Sequence, residues 1–312
     1  MPAARMSEIV GAASAAGRGV GAFNVIGIEH AEAIVTGAEA ARAPVVLAIS
    51  QNCVAYHGAL GPIAAAVLAV ARAAAVPAAV HLDHAAGEDL VHAAAAAGIG
   101  SVMYDASVLP YPDNVAATAR VTRWCHDRGI WTEAELGEIG GKDGVHSARA
   151  RTKPDEAAGY AAATGVDALA VAVGSSHAML TRDAVLDLDL ITRIHQAVPV
   201  PLVLHGSSGV PDEGLAAAVT AGMTKINIAT QLNKAFTAAV RGCLAADPVL
   251  VDPRKYSAAG RDAIAGEVTR LLGVLCASQG EHSVLPGGQS PRTHGPEPPG
   301  RARVAGRVAG PP

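Results

Sequence analysis

Three histidines of this chain lie where short apolar, β-branched runs end in polar residues: His84 in HLDH, His177 in GSSH and His205 in HGSSG. Three neutral imidazoles that leave a fourth position open are a common catalytic zinc arrangement. A single histidine in such a place is more often a hydrogen-bonded rim residue. Three of them at matching positions favour a metal centre, provided that the fold brings them to one point.

A carboxylate, Asp83, directly precedes the first of these histidines. Beside a metal it would act as a general acid or base, or it would orient a histidine by hydrogen bonding. Neighbouring strand residues point to opposite faces, so Asp83 and His84 share a site only if the strand breaks there. Asp105 and Glu135 follow two further apolar runs. They would form a further metal position or orient the ligands.

The elements that must position these residues are eight short β-branched runs, each followed by helix-forming sequence. This alternation is typical of a parallel sheet. Eight such units favour a closed (β/α)8 TIM barrel, whose active site lies at the carboxyl ends of the strands. A doubly wound nucleotide fold would show GxGxxG after the first strand, where this chain has IGIEHAEA. The predicted strands are 20–25, 45–50, 79–83, 101–104, 131–135, 168–173, 202–205 and 225–228.

The sequence predicts one barrel domain over residues 1–277 and a disordered tail over 278–312. The segment DPRKYSAAGRDAIAGEVTRLLGVLCA is interpreted as a C-terminal helical extension that closes the barrel. The tail is rich in Pro, Gly and Arg, a composition typical of chains that form no core.

Charge and composition argue against two classes of partner. The formal net charge is -4 and no basic stripe with interleaved aromatics occurs, so nucleic acid is not expected. No apolar run is long enough to span a bilayer, so no membrane partner is expected. The four cysteines are scattered, which indicates free thiols and a cytoplasmic location.

Two Gly/Ser/Thr-rich segments, HGSSG and NIAT, follow the seventh and eighth predicted strands. Loops at these positions of a barrel frequently hold a phosphate through backbone N–H groups and helix N-termini. Together with a metal site, they favour a phosphorylated substrate.

From about residue 6 to residue 279, the chain resembles the class II, metal-dependent ketose-bisphosphate aldolases. The similarity is carried by GAFNV, RAPVVLAIS, VHLDHA, SVMYDAS, EAELGEIGG, TGVDALAVAVGSSHAM, PLVLHGSSG, KINIAT and DPRKY, in this order. Their combination and spacing are highly specific for the family.

The resemblance implies a role for each matching position. His84, His177 and His205 match zinc ligands, and Asp83 matches the acid/base at the aldehyde-derived oxygen. Asp105 and Glu135 match a second cation position, divalent or monovalent, found in part of the family. The positions that match substrate-binding residues are Asn24, Ser50, Ala178, Gly206, Ser207, Ser208, Asn227, Ile228, Ala229 and Thr230.

The implied reaction is reversible cleavage of fructose or tagatose 1,6-bisphosphate to dihydroxyacetone phosphate and glyceraldehyde 3-phosphate, through a zinc-stabilised enediolate. The implied assembly is a homodimer or homotetramer. Two departures from the family affect these expectations. The loop after Gly141 is short, so Asp143 is its only acid and the candidate base for the substrate carbon. Ala229 replaces an Asp of many fructose-type members and resembles the tagatose-type pattern.

Other functions remain open on the sequence. A Schiff-base aldolase would need a lysine inside the barrel, and Lys225 is expected at the entrance end, away from the site. A barrel metal hydrolase would usually carry His-x-His on its first strand, which here ends in FNV. A phosphosugar-binding relative impaired by the short loop, or an aldolase for another phosphorylated ketose, is a further alternative. His81 is interpreted as orienting or packing, and His30 as a surface residue.

Overall fold

Eight parallel strands close into a barrel in which each strand pairs with its sequence neighbours and β8 pairs with β1. The computed structural model describes residues 3–136 and 151–276. All eight predicted strands are present, with ends that differ by at most two residues from the prediction. The strands are β1 (Val20–Val25), β2 (Val45–Ser50), β3 (Ala78–Ala85), β4 (Ser101–Tyr104), β5 (Trp131–Leu136), β6 (Ala168–Val171), β7 (Leu202–Leu204) and β8 (Met223–Ile228).

Helices follow the strands and surround the barrel, which confirms the predicted (β/α)8 fold. Left-handed residues end several of them, such as Arg42 after α2 and Gly165 after α7, because this conformation stops the helical hydrogen bonds. The described helices are α1 (Met6–Ala15), α2 (Ile28–Ala41), α3 (Gln51–His57), α4 (Leu60–Ala73), α5 (Glu88–Ala96), α6 (Tyr111–His126), α7 (Pro154–Thr164), α8 (Leu188–Ala197), α9 (Asp212–Ala221), α10 (Thr230–Ala246) and α11 (Pro253–Cys276).

The last helix, α11, is the predicted closing extension. It spans 24 residues and packs mainly on α2 and α10. Its buried side chains, including Ile264, Val268 and Leu272, join the core between the sheet and the helices. The first helix, α1, packs Met6, Ile9 and Val10 against residues near the start of the strands. These contacts hold the barrel together at the end opposite its carboxyl rim.

Among the described helices, none is by itself long and apolar enough to cross a membrane. The pair α3 and α4 would be long and apolar enough only if the two helices are counted together, and the chain bends by 115° between them. The predicted tail at 278–312 lies outside the described residues.

Candidate metal centre

A cavity of about 410 Å³ opens at the carboxyl ends of the strands. Nearly all residues that the sequence predicts for the site line it, although they come from seven different strands or the loops after them. The predicted residues on the cavity wall are Asn24, Ser50, Asp83, His84, Asp105, His177, Ala178, His205, Gly206, Ser207, Ser208, Asn227, Ala229 and Thr230.

The third strand is interrupted where the sequence requires it. Pairing between β3 and β4 shifts register between Leu82 and Ala85, and His84 has a left-handed backbone with φ of 55°. Such a backbone is unfavourable for a residue with a side chain, and residues strained in this way cluster at functional sites. As a result, Asp83 and His84 both reach the cavity instead of pointing to opposite faces of the sheet.

The three predicted histidines meet at one point. His84, His177 and His205 each present a ring nitrogen, and these three atoms lie within 4.8 Å of one another. His84 Nε2 lies 3.1 Å from His205 Nδ1. In tetrahedral zinc sites, Zn–N bonds of about 2.0–2.1 Å place ligand nitrogens about 3.3 Å apart. The two nitrogens therefore have the separation of atoms that share one metal ion.

The other nitrogen of each of these two rings faces a carboxylate. His84 Nδ1 lies 2.8 Å from Asp105 Oδ2, and His205 Nε2 lies 3.0 Å from Glu133 Oε1. A carboxylate only accepts hydrogen bonds, so each of these nitrogens carries the proton of its ring. In neutral rings, His84 Nε2 and His205 Nδ1 are then both unprotonated and face each other with their lone pairs. Burial and the neighbouring His84 lower the pKa of His205 to about 4, which keeps this ring neutral.

Two unprotonated nitrogens at this distance repel each other unless a cation lies between them. The donor set therefore fits a zinc ion, for which neutral imidazole is a preferred ligand. This arrangement is the main structural argument for a metal at this position.

Asp83 is held at the edge of the histidine cluster by two side-chain amides. Asn24 Nδ2 donates to Asp83 Oδ2 at 2.9 Å, and Asn227 Nδ2 donates to Asp83 Oδ1 at 3.2 Å. Its Oδ1 lies 3.9 Å from His84 Nε2. Burial alone would raise the pKa of Asp83, but positive charge close to it, on His84 and His205 when these rings are protonated and on the ammonium of Lys225, lowers it. The carboxylate is thus oriented toward the centre without occupying a histidine position.

Asp105 and Glu135 lie on the opposite side of His84. They form a second group of possible ligands with it, and Glu135 Oε2 is 4.0 Å from His84 Nδ1. Because the hydrogen bond from His84 Nδ1 to Asp105 fixes the ring, orienting His84 is the role that this geometry supports directly. A second cation at this position stays a prediction. Glu135 is fully buried and does not line the cavity.

The two predicted phosphate loops are joined to each other. The hydroxyl oxygen of Ser208 accepts from the backbone N–H groups of Ala229 and Gln231, at the start of α10. Gly206 adopts the left-handed conformation with φ of 67°. Ala178 has a similar φ of 58°, although it carries a side chain. These loops form one wall of the cavity together with the N-terminus of a 17-residue helix, a favourable place for an anion.

Ile228 and Ser50, two of the predicted substrate contacts, differ in their position relative to the cavity. Ile228 does not line the cavity: in β8 Asn227 points into the barrel, so the next side chain points outward into the apolar core. The Ile228 side chain therefore makes no contact with the cavity, and a substrate contact through its backbone stays a prediction. Ser50 lines the cavity, and its hydroxyl oxygen also accepts from the backbone N–H of Cys53 to cap α3. Asp143, the candidate base, lies outside the described residues.

The sequence interpretation was wrong about Lys225 and His30. Lys225 is fully buried inside the barrel, where Nζ donates to Glu133 at 2.8 Å. The Glu133 carboxylate in turn accepts from the ring of His205, so Lys225 is connected to the site. His30 is buried and stacks on Phe236 rather than lying on the surface. Its position on the inner face of α2 could have been found from helical periodicity.

The closed eight-stranded barrel and the three imidazoles at its rim indicate a barrel enzyme with a candidate metal centre. Residues 4–281 match the family model described as class II fructose-bisphosphate aldolase. The chain therefore belongs to the class II fructose-bisphosphate aldolase family, a family of generally metal-dependent carbon–carbon lyases. This result confirms the resemblance and the enzyme class that the motifs predict.

Similar proteins agree with this assignment. A fructose-bisphosphate aldolase of Geobacillus stearothermophilus is 38% identical over 267 residues, which cover 84% of this chain and 93% of that protein. The crystal structure of the YdjI aldolase of Escherichia coli K12 matches with a TM-score of 0.78 and 29% identity, covering 87% of this chain and 97% of its own. A fructose-bisphosphate aldolase of Campylobacter jejuni matches with a TM-score of 0.74 at 21% identity, covering 88% and 96%, and supports the fold alone.

Proposed function

We propose that this chain is a zinc-dependent aldolase that reversibly cleaves a ketose 1,6-bisphosphate, fructose or tagatose, to dihydroxyacetone phosphate and glyceraldehyde 3-phosphate. The observation that carries the proposal is the pair of facing imidazole nitrogens, His84 Nε2 and His205 Nδ1, 3.1 Å apart, with His177 beside them. Zinc bound there would supply a Lewis acid for the ketone oxygen of the substrate.

Asp83 is the proposed acid/base for the oxygen that becomes the aldehyde. Its two amide partners hold the carboxylate in one orientation, so that a proton on that oxygen could be taken up in cleavage and returned in condensation. The Oδ1 atom of Asp83 lies 3.9 Å from His84 Nε2, which keeps the proton carrier next to the reacting atoms. Asp143 stays the proposed base for the carbon-bound proton.

The phosphate of dihydroxyacetone phosphate is proposed to bind against Gly206–Ser208, Ala229 and Thr230, with the backbone of Ala178 on the other side. The start of α10 lies at this wall, and its macrodipole favours an anion. Ser50, which also lines the cavity, is proposed to contact the aldehyde half of the substrate, and Asn24 is proposed to lie close to the substrate at the rim.

Location and assembly follow from the family rather than from the site. We propose a cytoplasmic homodimer or homotetramer. Its four cysteines are free thiols, and free thiols persist in reducing compartments.

The test is a cleavage panel of fructose 1,6-bisphosphate, tagatose 1,6-bisphosphate and other ketose phosphates, each assayed after chelation and after zinc is added back. Zinc-restored cleavage of one of the two bisphosphates is expected. Cleavage of a different ketose phosphate alone would overturn the substrate assignment. Zinc-loaded protein that binds dihydroxyacetone phosphate but does not exchange its carbon-bound proton would show a binding relative and overturn the catalytic proposal.

A further inference from the structure

Below the three histidines, the barrel interior contains a column of polar side chains. Glu133 of β5, Lys225 of β8 and His81 of β3 are each completely buried. Barrel interiors are normally filled by branched apolar residues, and burying a charge is unfavourable unless it is paired. This column therefore needs a reason other than packing.

The shorter polar contacts in the column run inward from the ring of His205, and a longer one of 3.9 Å joins His81 Nε2 to Glu133 Oε2. His205 Nε2 donates to Glu133 Oε1 at 3.0 Å. Lys225 Nζ donates to both oxygens of Glu133, at 3.0 and 2.8 Å, and lies 3.5 Å from His81 Nε2. His81 Nδ1 completes the chain at 2.7 Å from Ser101 Oγ.

The contacts fix what each group does. Lys225 has three N–H donors, and the three contacts, two to Glu133 and the longer one to His81, account for all of them. It is thus engaged as a counter-ion rather than offered as a nucleophile. Glu133 is the only member of the column in contact with a proposed metal ligand, among the contacts of the described residues.

Stability does not explain the pair. A buried ion pair seldom adds stability over apolar residues of the same size, because the loss of hydration offsets the attraction. Its position gives a better reason: Lys225 holds the Glu133 carboxylate against His205, and that contact keeps Nδ1 of the ring directed toward His84 and His177. Hydrogen-bond partners behind a metal ligand orient its ring and raise its basicity.

We propose that Glu133 and Lys225 are a positioning pair that fixes the orientation of the His205 ring and thereby sets the affinity of the three-histidine centre for zinc. The inference rests on the proposed function, because it assumes that His205 binds the metal. It assigns no direct contact with substrate to either residue.

Removing one partner alone would leave a buried unpaired charge and could unfold the protein. The test therefore uses two double variants that each remove one negative and one positive charge. Glu133→Gln with Lys225→Met keeps an oxygen acceptor for His205 Nε2. Glu133→Leu with Lys225→Met removes it. Zinc affinity is measured by competition with a chromogenic chelator, and the absorption bands of the cobalt-substituted protein report ligand geometry.

We expect the Leu/Met variant to bind zinc about 10- to 100-fold more weakly and to shift the cobalt bands. The Gln/Met variant keeps the acceptor but loses the ammonium that holds it, so its zinc affinity should lie between those of the Leu/Met variant and the wild-type protein. Equal affinities of both variants and the wild-type protein would overturn the proposal. Equal weakening of both would also overturn it, because charge rather than the acceptor would then matter.

Two further variants control for misfolding and for a general loss of stability. Glu133→Asp keeps the charge pair but withdraws the carboxylate by one methylene, so it should weaken zinc binding even if the Leu/Met variant does not fold. Leu271→Ala, in α11, destabilises the protein away from the barrel interior and should leave zinc affinity unchanged. His177→Ala tests the proposed function separately: if it binds zinc like the wild-type protein, the three-histidine centre itself is wrong.

Discussion

The substitution Gly206→Ala tests how closely two loops of the centre must approach each other. Gly206 follows His205, and a Cβ atom added there would lie 2.6 to 2.9 Å from the backbone C, O and N atoms of Ser176. Ser176 directly precedes His177. Because backbone atoms cannot move aside alone, the added methyl group would push apart the loops that carry two of the three imidazoles.

A matched control, Gly129→Ala, separates the effect of this steric clash from the effect of backbone strain. Gly129 has φ of 68°, against 67° for Gly206, but a Cβ atom there would meet nothing within 4 Å. Both alanines carry the left-handed strain, about 1 kcal/mol after the stiffer unfolded chain is considered. Only Gly206→Ala adds overpacking, about 1–3 kcal/mol. Gly129→Ala should therefore lose about 1 kcal/mol of unfolding free energy, and Gly206→Ala about 2–4 kcal/mol.

Urea denaturation of the metal-free proteins measures the unfolding free energies, and chelator competition measures zinc affinity. In Gly206→Ala the two loops would move apart, and zinc binding would have to bring them back to the binding geometry. Each 1.4 kcal/mol of free energy needed for this weakens zinc binding about tenfold. We expect at least this loss for Gly206→Ala and none for Gly129→Ala. Equal stability losses with unchanged zinc affinity would refute the reasoning.

Three other predictions follow from the site and its surroundings. Asp83→Asn should lower cleavage by about 10²–10⁴-fold while proton exchange at dihydroxyacetone phosphate continues; equal loss in both assays would contradict its role at the aldehyde-derived oxygen. Chelation should abolish cleavage and zinc should restore it, whereas trapping of a covalent adduct on Lys225 by borohydride with substrate would contradict the metal mechanism. Burial raises the pKa of Asp212, but the guanidinium groups of Arg182 and Arg270 lower it below its ordinary value. The ionised carboxylate therefore stabilises the fold above the unfolded pKa of about 4. This stabilisation is lost as the pH falls through the lower pKa of the folded state. Asp212→Asn should thus lose about 0.5–1 kcal/mol of unfolding free energy at pH 7, since the side chains are partly exposed, and progressively less as the pH falls below about 4; a loss that is independent of pH in urea denaturation would contradict this.

The sequence predicted the positions of the chemistry well because strand ends are marked by local composition. The polar residues after eight apolar runs indicated one rim, and alternation along β3 indicated that Asp83 and His84 need a break, which the register shift confirms. Such features depend on neighbours in the chain, so they can be recognised without a structure.

The interior column could not be predicted in the same way. Glu133 and Lys225 stand 92 positions apart, and only barrel closure brings their side chains within 2.8 Å. Alternation along β8 shows that Lys225 and Asn227 share a face, but not that the lysine is paired deep in the barrel. The protonation of each imidazole likewise depends on carboxylates from other strands, so the sequence indicated the histidines but not which nitrogens would face a metal ion.

One zinc ion is proposed to bind to His84, His177 and His205 together. Anomalous diffraction from zinc-loaded crystals, recorded on both sides of the zinc absorption edge, tests it most directly. One peak is predicted at about 2.0–2.1 Å from His84 Nε2, from His205 Nδ1 and from a ring nitrogen of His177. A peak bound by His84 Nδ1, Asp105 and Glu135 instead, or no peak beside the imidazoles, would contradict it.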